Sequence, residues 1–216
     1  MTALENNISM TSGCVSGLFW AACYLLLIRR AALDRAHAMP LAPLCLNISW
    51  EFIFGFVHPQ PAPMNYVNMV WGGIDVIILW QYFRYGRAEF PKALPKSWFL
   101  PVLGLSLITA FLGVLTLTRE LKDWDGNYSG WGAQILISIT MISLLAKRGS
   151  VEGQSLYIAL TRFIGSLAVI PMQYLQTPKS SFLALICVAF TVCDLGYIWL
   201  YLRQARMEGI NPWTRI

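Results

Sequence analysis

The sequence contains few charged residues for its length. Only 12% of its 216 residues are charged, whereas 56% are hydrophobic; soluble domains usually carry about 25% charged residues. A soluble domain of this size could not bury so much apolar surface, because folded proteins cover themselves with polar atoms. The composition excludes an ordinary soluble enzyme and any disordered or fibrous protein, and it fits a polytopic membrane protein with short loops.

Patterns for metal, phosphate and disulfide chemistry are also missing. The five cysteines lie in apolar stretches without metal-ligand spacing, which indicates small core residues rather than a disulfide framework. No phosphate-binding loop occurs. The net charge of +5 does not form a patch suited to nucleic acid. We therefore expect no cofactor, no metal and no nucleic-acid partner.

Seven apolar stretches approach the roughly 20 residues that a bilayer-spanning helix needs. They are 13–28, 39–57, 66–83, 98–117, 128–145, 154–175 and 180–202. Together they fill most of the chain and leave no room for a soluble domain. We predict an all-α membrane protein, a seven transmembrane helix bundle formed by one domain over residues 1–216. Pro59, Pro61 and Pro63 are expected to end the second helix and Pro171 to kink the sixth.

The basic residues fall mainly on one side of the predicted bundle. Segments 29–38, 84–97, 146–153 and 203–216 hold twelve of the 16 Lys and Arg residues, whereas the alternate segments hold three. The positive-inside rule then places the N-terminus on the luminal or outer side and the C-terminus in the cytosol. This alternation requires an odd number of spans, which also favours seven.

Four charged residues lie inside predicted spans, namely Glu51, Asp75, Arg162 and Asp194. Each costs on the order of 2.5–3.5 kcal/mol in lipid unless it is paired or hydrated. All four should therefore face the bundle interior, in either a functional site or a structural network. We expect Arg162 to form an ion pair with Asp194 or Asp75.

Glu51 has the surroundings of a neutral acid. Asn47 precedes it by one helical turn, so its amide is expected to hydrogen-bond the carboxyl group. Trp50, Phe52 and Phe54 make the remaining surroundings apolar and aromatic, and desolvation there favours the protonated carboxyl. A protonated, oriented carboxylic acid suits general-acid catalysis.

Asp194 lies at a different expected depth. A rise of about 1.5 Å per residue places Glu51 roughly 4–5 Å to the luminal side of the midplane and Asp194 a similar distance to the cytosolic side. We expect the two acids at two ends of one cavity rather than as a proton-sharing pair. Aromatic faces beside the acids suit stabilisation of a carbocation; the candidates are Trp20, Trp50, Trp71, Trp131 and Tyr197.

Three segments resemble a known family. Residues 43–52, PLCLNISWEF, look like the N-x-x-W-E-F helix of the small integral-membrane terpene cyclases, the pyripyropene- and paxilline-type cyclases of fungal meroterpenoid and indole-diterpene pathways. Residues 148–166, which include Tyr157 and Arg162, are similar to that family's R-G-S-x-x-G-x-S-Y…S-R-F-L-G-S stretch. Asp194-Leu195-Gly196-Tyr197 is the third match. The matches occur in the family's order and extend over nearly the whole chain.

The resemblance implies cyclisation of a prenyl chain, often epoxidised, by a protonation-initiated, metal-independent carbocation cascade. The family's two essential acids match Glu51 and Asp194. The Asp-rich magnesium motifs of soluble terpene synthases are absent. The substrate would be lipophilic and supplied by an upstream prenyltransferase and epoxidase, and the location would be the endoplasmic reticulum membrane if the source is fungal. Supporting roles fall to Asn47, Trp50, Trp71, Asp75, Trp131, Tyr157, Arg162 and Tyr197.

The main alternative is a seven-helix transporter or lipophilic-ligand-binding protein that uses its buried acids as a proton relay. A retinal protein is disfavoured because residues 180–202 contain no lysine for a Schiff base. A receptor is disfavoured by the short loops. Formation of an isomer of equal mass from an epoxyprenyl-aromatic compound would distinguish a cyclase from these classes.

Overall fold

A computed structural model of the chain describes residues 2–177 and 179–216. Within them, eight α-helices are joined by short loops and turns. The helices are α1 (Ala3–Asp34), α2 (Leu41–Phe52), α3 (Met64–Tyr85), α4 (Phe99–Leu121), α5 (Asn127–Arg148), α6 (Leu156–Ala168), α7 (Ile170–Gln176) and α8 (Ser181–Met207). Each of the seven predicted spans lies largely in helix, so the all-α class is confirmed.

Helix α1 begins ten residues before the predicted span. Thr2 and Glu5 explain the early start, because they cap the helix reciprocally. The Thr2 hydroxyl accepts from the Glu5 amide at 3.2 Å, and the Glu5 carboxylate accepts from the Thr2 amide at 2.7 Å. This capping box satisfies amides of the first turn that would otherwise lack partners. The polar N-terminal residues therefore join the helix rather than preceding it.

Helix α2 continues beyond Phe52 as a wider turn. Residues Ile53–Val57 form a π-helical turn, in which the His58 amide donates to the Ile53 carbonyl at 2.7 Å. Such turns are rare and often lie at functional sites. The helical segment ends before Pro59, as expected from the three prolines that follow.

The predicted sixth span is broken into α6 and α7 at Val169. Pro171 lies in the first turn of α7, where its missing amide hydrogen is tolerated. Ser12 of α1 bridges the break, because its hydroxyl donates to the Ala168 carbonyl and accepts from the Met172 amide at 3.3 Å. The kink expected at Pro171 is confirmed.

Five helical segments of the described chain are long and apolar enough to cross a membrane. They are Ala3–Asp34, Lys96–Leu121, Asn127–Arg148, Leu156–Gln176 and Ser181–Met207. The segment Leu41–Val57 is apolar but shorter, and α3 carries Asp75 and Arg84. Seven spans and their orientation stay predictions.

The four basic segments meet at one end of the helix bundle, which we call the basic end. There, Arg148 of α5 pairs with Glu89 at 2.6 Å, and Arg215 pairs with Asp34 of α1, also at 2.6 Å. At the other end, Gln60 donates to the Asp125 carbonyl at 2.6 Å. The basic segments therefore share one end, as the charge count predicted.

Candidate active site

Glu51 is buried where three helices meet. Its side chain is 2% exposed. Tyr24 of α1 donates its hydroxyl to Glu51 Oε1 at 2.8 Å, and Asn47 Nδ2 donates to the Tyr24 oxygen at 3.2 Å. The expectation that Asn47 contacts Glu51 directly is therefore wrong, because the Tyr24 phenol lies between them. Tyr24 is distant in sequence, and no local pattern pointed to it.

Asp75 of α3 lies against Glu51. It is fully buried, and its carboxyl group is close enough to that of Glu51 for the two to interact electrostatically. Gly72, one turn earlier on α3, also faces Glu51, since a Cβ atom there would lie 3.7 Å from Glu51 Cβ, an ordinary van der Waals distance. Glu51 Oε2 and both Asp75 oxygens receive no hydrogen bond from an amide or hydroxyl in the described chain. Among the described residues, Glu51 and Asp75 are thus a pair of buried acids without a cationic partner.

Aromatic rings surround the phenol that holds Glu51. The Trp20 ring centroid lies 5.8 Å from that of Tyr24. Trp71 packs its ring nearly perpendicular to Tyr24, at 6.1 Å. Trp71 therefore lies next to the Glu51 cluster, as predicted, and the negative ring faces of this group suit a positive charge.

Arg162 and Asp194 form a second buried cluster. Arg162 Nη2 lies 2.7 Å from Asp194 Oδ1, and both side chains are at most 1% exposed. The guanidinium also packs on the Tyr197 ring, 5.3 Å from its centroid. The nearby Ser138 hydroxyl donates to the Gln134 carbonyl of its own helix at 3.0 Å. The ion pair expected for Arg162 is confirmed, with Asp194 as the partner.

Helix α1 brings the two clusters close to one another. Cys23, next to Tyr24, packs its thiol against the Ile158 carbonyl of α6 at 3.8 Å. Ile158 precedes Arg162 by about one turn of α6, so Tyr24 and Cys23, which are adjacent on α1, lie next to the first and the second cluster respectively. Each acid therefore has its own partner, and Glu51 shares its site with Asp75 rather than with Asp194.

Three predicted site residues make their polar or stacking contacts elsewhere. Trp50 Nε1 donates to Ser129 Oγ at 3.0 Å, because adjacent helix residues point in different directions. The Trp131 ring stacks on Phe190 at 5.1 Å, in a separate apolar cluster. The Tyr157 hydroxyl donates to the Trp213 carbonyl at 2.9 Å, at the basic end.

Fold and site together define a class of protein. The chain is a helical membrane protein whose buried acids lie beside aromatic rings, an arrangement suited to chemistry on an apolar molecule. Residues 4–207 match the family of Pyr4-like transmembrane terpene cyclases, and the chain belongs to that family. The expectation drawn from the three sequence motifs is thereby confirmed.

Curated relatives cover most of the chain. A Pyr4-family terpene cyclase, mfmH of Annulohypoxylon moriforme, is 32% identical over 89% of this chain and 85% of its own length. The terpene cyclase macJ of Penicillium terrestre is 29% identical over 90% and 81%. The asnovolin H synthase nvfL of Aspergillus novofumigatus is 24% identical over 94% and 89%. No solved structure matches significantly.

Proposed function

We propose that the protein is a membrane-bound terpene cyclase that converts an (epoxy)prenylated aromatic or terpenoid substrate into a polycyclic product. Cyclisation begins with proton transfer to an epoxide oxygen or an alkene and proceeds through carbocations without a metal. It is an isomerase- or lyase-type reaction. The observation that carries this proposal is the Glu51–Asp75 pair, two acids that are buried together with no cationic side chain paired to them in residues 2–177 and 179–216.

Glu51 is the proposed general acid. Two carboxylates side by side in an apolar site repel one another and lack hydration, so the pair retains at least one proton. Tyr24 holds the Glu51 carboxyl in place through its 2.8 Å hydrogen bond. Asp75 then serves as the acceptor that shares the proton with Glu51.

The surroundings of Glu51 suit the cation that protonation creates. Trp20, Tyr24 and Trp71 provide ring faces next to the acid, and such faces stabilise positive charge by roughly 2 kcal/mol or more when desolvated. Burial also excludes water, which would otherwise quench the cation early. A prenyl chain dissolved in the bilayer has direct access to a protein embedded there.

Asp194 takes a different role. Its 2.7 Å ion pair with Arg162 keeps it a carboxylate, so it is suited to accept the final proton or to position the substrate. Arg162 and Tyr197 hold it in place. Proton donor and proton acceptor then belong to two separate clusters, and α1 has residues next to both.

The cellular setting is part of the proposal, and the family and the charge pattern support it. We infer one seven-helix domain over residues 1–216, with the basic end in the cytosol and the N-terminus in the lumen. The membrane is that of the endoplasmic reticulum if the source is fungal. A prenyltransferase and an epoxidase would supply the substrate upstream.

The replacement Glu51→Gln tests the role of the acid. It preserves the shape of the side chain but removes the transferable proton, so turnover should fall about 10²–10⁴-fold. Membranes are incubated with a synthetic aromatic compound that carries a terminally epoxidised prenyl chain, and the product of equal mass is quantified. The unreacted substrate should remain.

The matched control is Glu120→Gln, which changes an exposed glutamate of α4. It should leave turnover unchanged. Near-normal turnover by a well-expressed Glu51→Gln variant would remove Glu51 as the acid. Binding of the compound by the wild-type protein without any isomer would instead favour the transporter or binding protein.

A further inference from the structure

The loop between α5 and α6 extends a buried side chain toward the Arg162–Asp194 cluster. Gln154 is 0% exposed, and its Oε1 accepts the Tyr197 hydroxyl at 2.7 Å. The preceding Gly153 has φ of +70°, and a Cβ atom there would lie 2.9 Å from the His37 carbonyl. Only glycine fits this close approach, so the loop is tightly packed against the basic end.

The C-terminal segment holds this loop from outside. Arg215 Nε donates to the Gln154 carbonyl at 3.1 Å, and its Nη2 donates to the Val151 carbonyl at 3.1 Å and to Asp34 Oδ2 at 2.6 Å. Asp34 also accepts the Gly153 amide at 2.7 Å. One arginine thus ties the segment to both the loop and the end of α1.

These contacts form a continuous polar path from the surface to the core. Arg215 binds Gln154, Gln154 binds Tyr197, and the Tyr197 ring lies under Arg162. Polar groups are where water enters an otherwise apolar bundle, because water needs partners for its own hydrogen bonds. The path is therefore the place where exclusion of water from a cationic reaction has to be secured.

We propose that the α5–α6 loop and the C-terminal segment form a plug in which Gln154 positions Tyr197 and Arg215 keeps the loop closed against water. This inference rests on the proposed cyclase activity. It adds two positioning residues that do not touch the reacting atoms. Tyr197 in turn holds the Arg162 guanidinium against its ring face.

The plug determines which product the final carbocation gives. With the plug closed, the cation loses a proton to a protein base, and the product is an isomer of the substrate. With the plug open, a water oxygen bonds to the cationic carbon and the oxygen then releases a proton. The product is then an alcohol heavier than the substrate by one water molecule.

Arg215→Gln tests the plug. Reactions use the synthetic epoxyprenyl aromatic compound in isotopically labelled water, so that oxygen from solvent is identified by mass. Loss of the charge-assisted hydrogen bonds should raise the open fraction, and with it the ratio of alcohol to isomer, roughly tenfold or more. The matched control Arg206→Gln, an exposed arginine of α8, should give the wild-type ratio.

A purely structural segment predicts a different result. Arg215→Gln would then lower the yield of folded protein while the ratio of alcohol to isomer stayed at the wild-type value, and this outcome overturns the proposal. If Arg215→Gln does not fold, Arg215→Lys is used instead. Lysine retains the charge beside Asp34 but lacks the planar guanidinium group that donates several hydrogen bonds at once. The ratio of alcohol to isomer should therefore be higher than in the wild type but lower than expected for a fully open plug.

Hydrogen exchange tests the plug without any substrate. Backbone amides of residues 151–158 should exchange roughly tenfold faster in Arg215→Gln than in Arg206→Gln, because the loop opens locally. Equal exchange rates would overturn the plug. If these amides exchange faster in Arg215→Gln but the wild-type protein forms no isomer, the plug is supported and the proposed cyclase activity is rejected.

Discussion

Glu51 depends on side chains that are far from it in sequence. Tyr24 is 27 positions away and donates to one carboxyl oxygen, and Asp75 lies against the same carboxyl group. The apolar surroundings of Glu51 could be predicted from its own helix, because burial of a carboxyl among aromatic residues is a local pattern. The two partners could not, because they depend on how α1 and α3 are rotated against α2. Trp50 was misplaced for the same reason, since its neighbour Glu51 faces another helix.

The Arg162–Asp194 pair leads to a prediction for a single substitution. Asp194→Asn should reduce activity severely and leave altered or incompletely cyclised products, because it removes the proposed final base or positioning group. It also leaves the Arg162 charge buried without a partner, which typically costs about 3–5 kcal/mol in stability. Product analysis and thermal unfolding in detergent measure the two effects separately.

The double variant Asp194→Asn with Arg162→Gln separates chemistry from charge balance. It removes both charges, so stability should recover in part while activity stays low. Full recovery of activity in the double variant would mean that Asp194 only neutralises Arg162.

Some helix ends and breaks could be predicted from the sequence and others could not. Proline is a strong local cause, and both the end of α2 and the break before α7 were predicted from it. The π-helical turn after Glu51 was not predicted, because the spacing of hydrophobic residues does not distinguish a short wider turn from an ordinary α-helical turn. The start of α1 was missed because its first residues are polar, although the Thr2 and Glu5 pattern that caps it is visible in the sequence.

The hydrogen bonds at the start of α5 can be tested for their contribution to stability. Asp123 accepts the amides of Tyr128 and Ser129 at 3.0 and 2.8 Å and the Ser129 hydroxyl at 2.8 Å. Asp123→Ala removes these acceptors from the first turn and should lower the free energy of unfolding by about 1–2 kcal/mol. Thermal unfolding in detergent measures the loss.

Asp125→Ala is the control for this change, because Asp125 is exposed in the same turn and its side chain makes no hydrogen bond among the described residues. It should leave the unfolding temperature close to that of the wild type. An equal loss in both variants would show that the turn, rather than the acceptor on Asp123, matters.

The basic end holds the molecule together across segments that are distant in sequence. Glu89 binds Arg148 at 2.6 Å and lies 3.3 Å from His37. Burial alone would raise the pKa of Glu89, but hydrogen bonds and charge from His37 and Arg148 lower that pKa to about 2. Burial lowers the pKa of His37; the hydrogen bond and charge of Glu89 oppose this shift without cancelling it, and the charge of Arg148 adds to it.

Both shifts make the whole protein less stable in acid. The pKa of each group is lower in the folded state, so the unfolded chain binds protons first as the pH falls. The unfolding temperature should begin to drop below about pH 6.5, where unfolded His37 titrates, and should drop further below about pH 4.5, where unfolded Glu89 titrates. Thermal unfolding from pH 7.5 to 3.5 measures the trend.

Glu89→Gln should lower stability at pH 7 and flatten the fall below pH 4.5, because the variant lacks the group that titrates there. Glu152→Gln, at an exposed neighbouring position, should behave as the wild type. A Glu89→Gln variant with the full acid dependence would assign the effect to other carboxyl groups.

The hydrogen bonds from Asn47 to Tyr24 and on to Glu51 run in one direction. The Asn47 amide occupies the Tyr24 oxygen as a donor, so the phenolic hydrogen points to Glu51 Oε1 and that oxygen is an acceptor. In the proposed mechanism the transferable proton then belongs to Oε2, the oxygen beside α3. The two oxygens of one carboxyl group are thereby made chemically unequal, and the substrate is protonated from a single direction. A relay of two neutral side chains would thus select which face of a flat alkene or which lone pair of an epoxide receives the proton, and with it the handedness of the first ring.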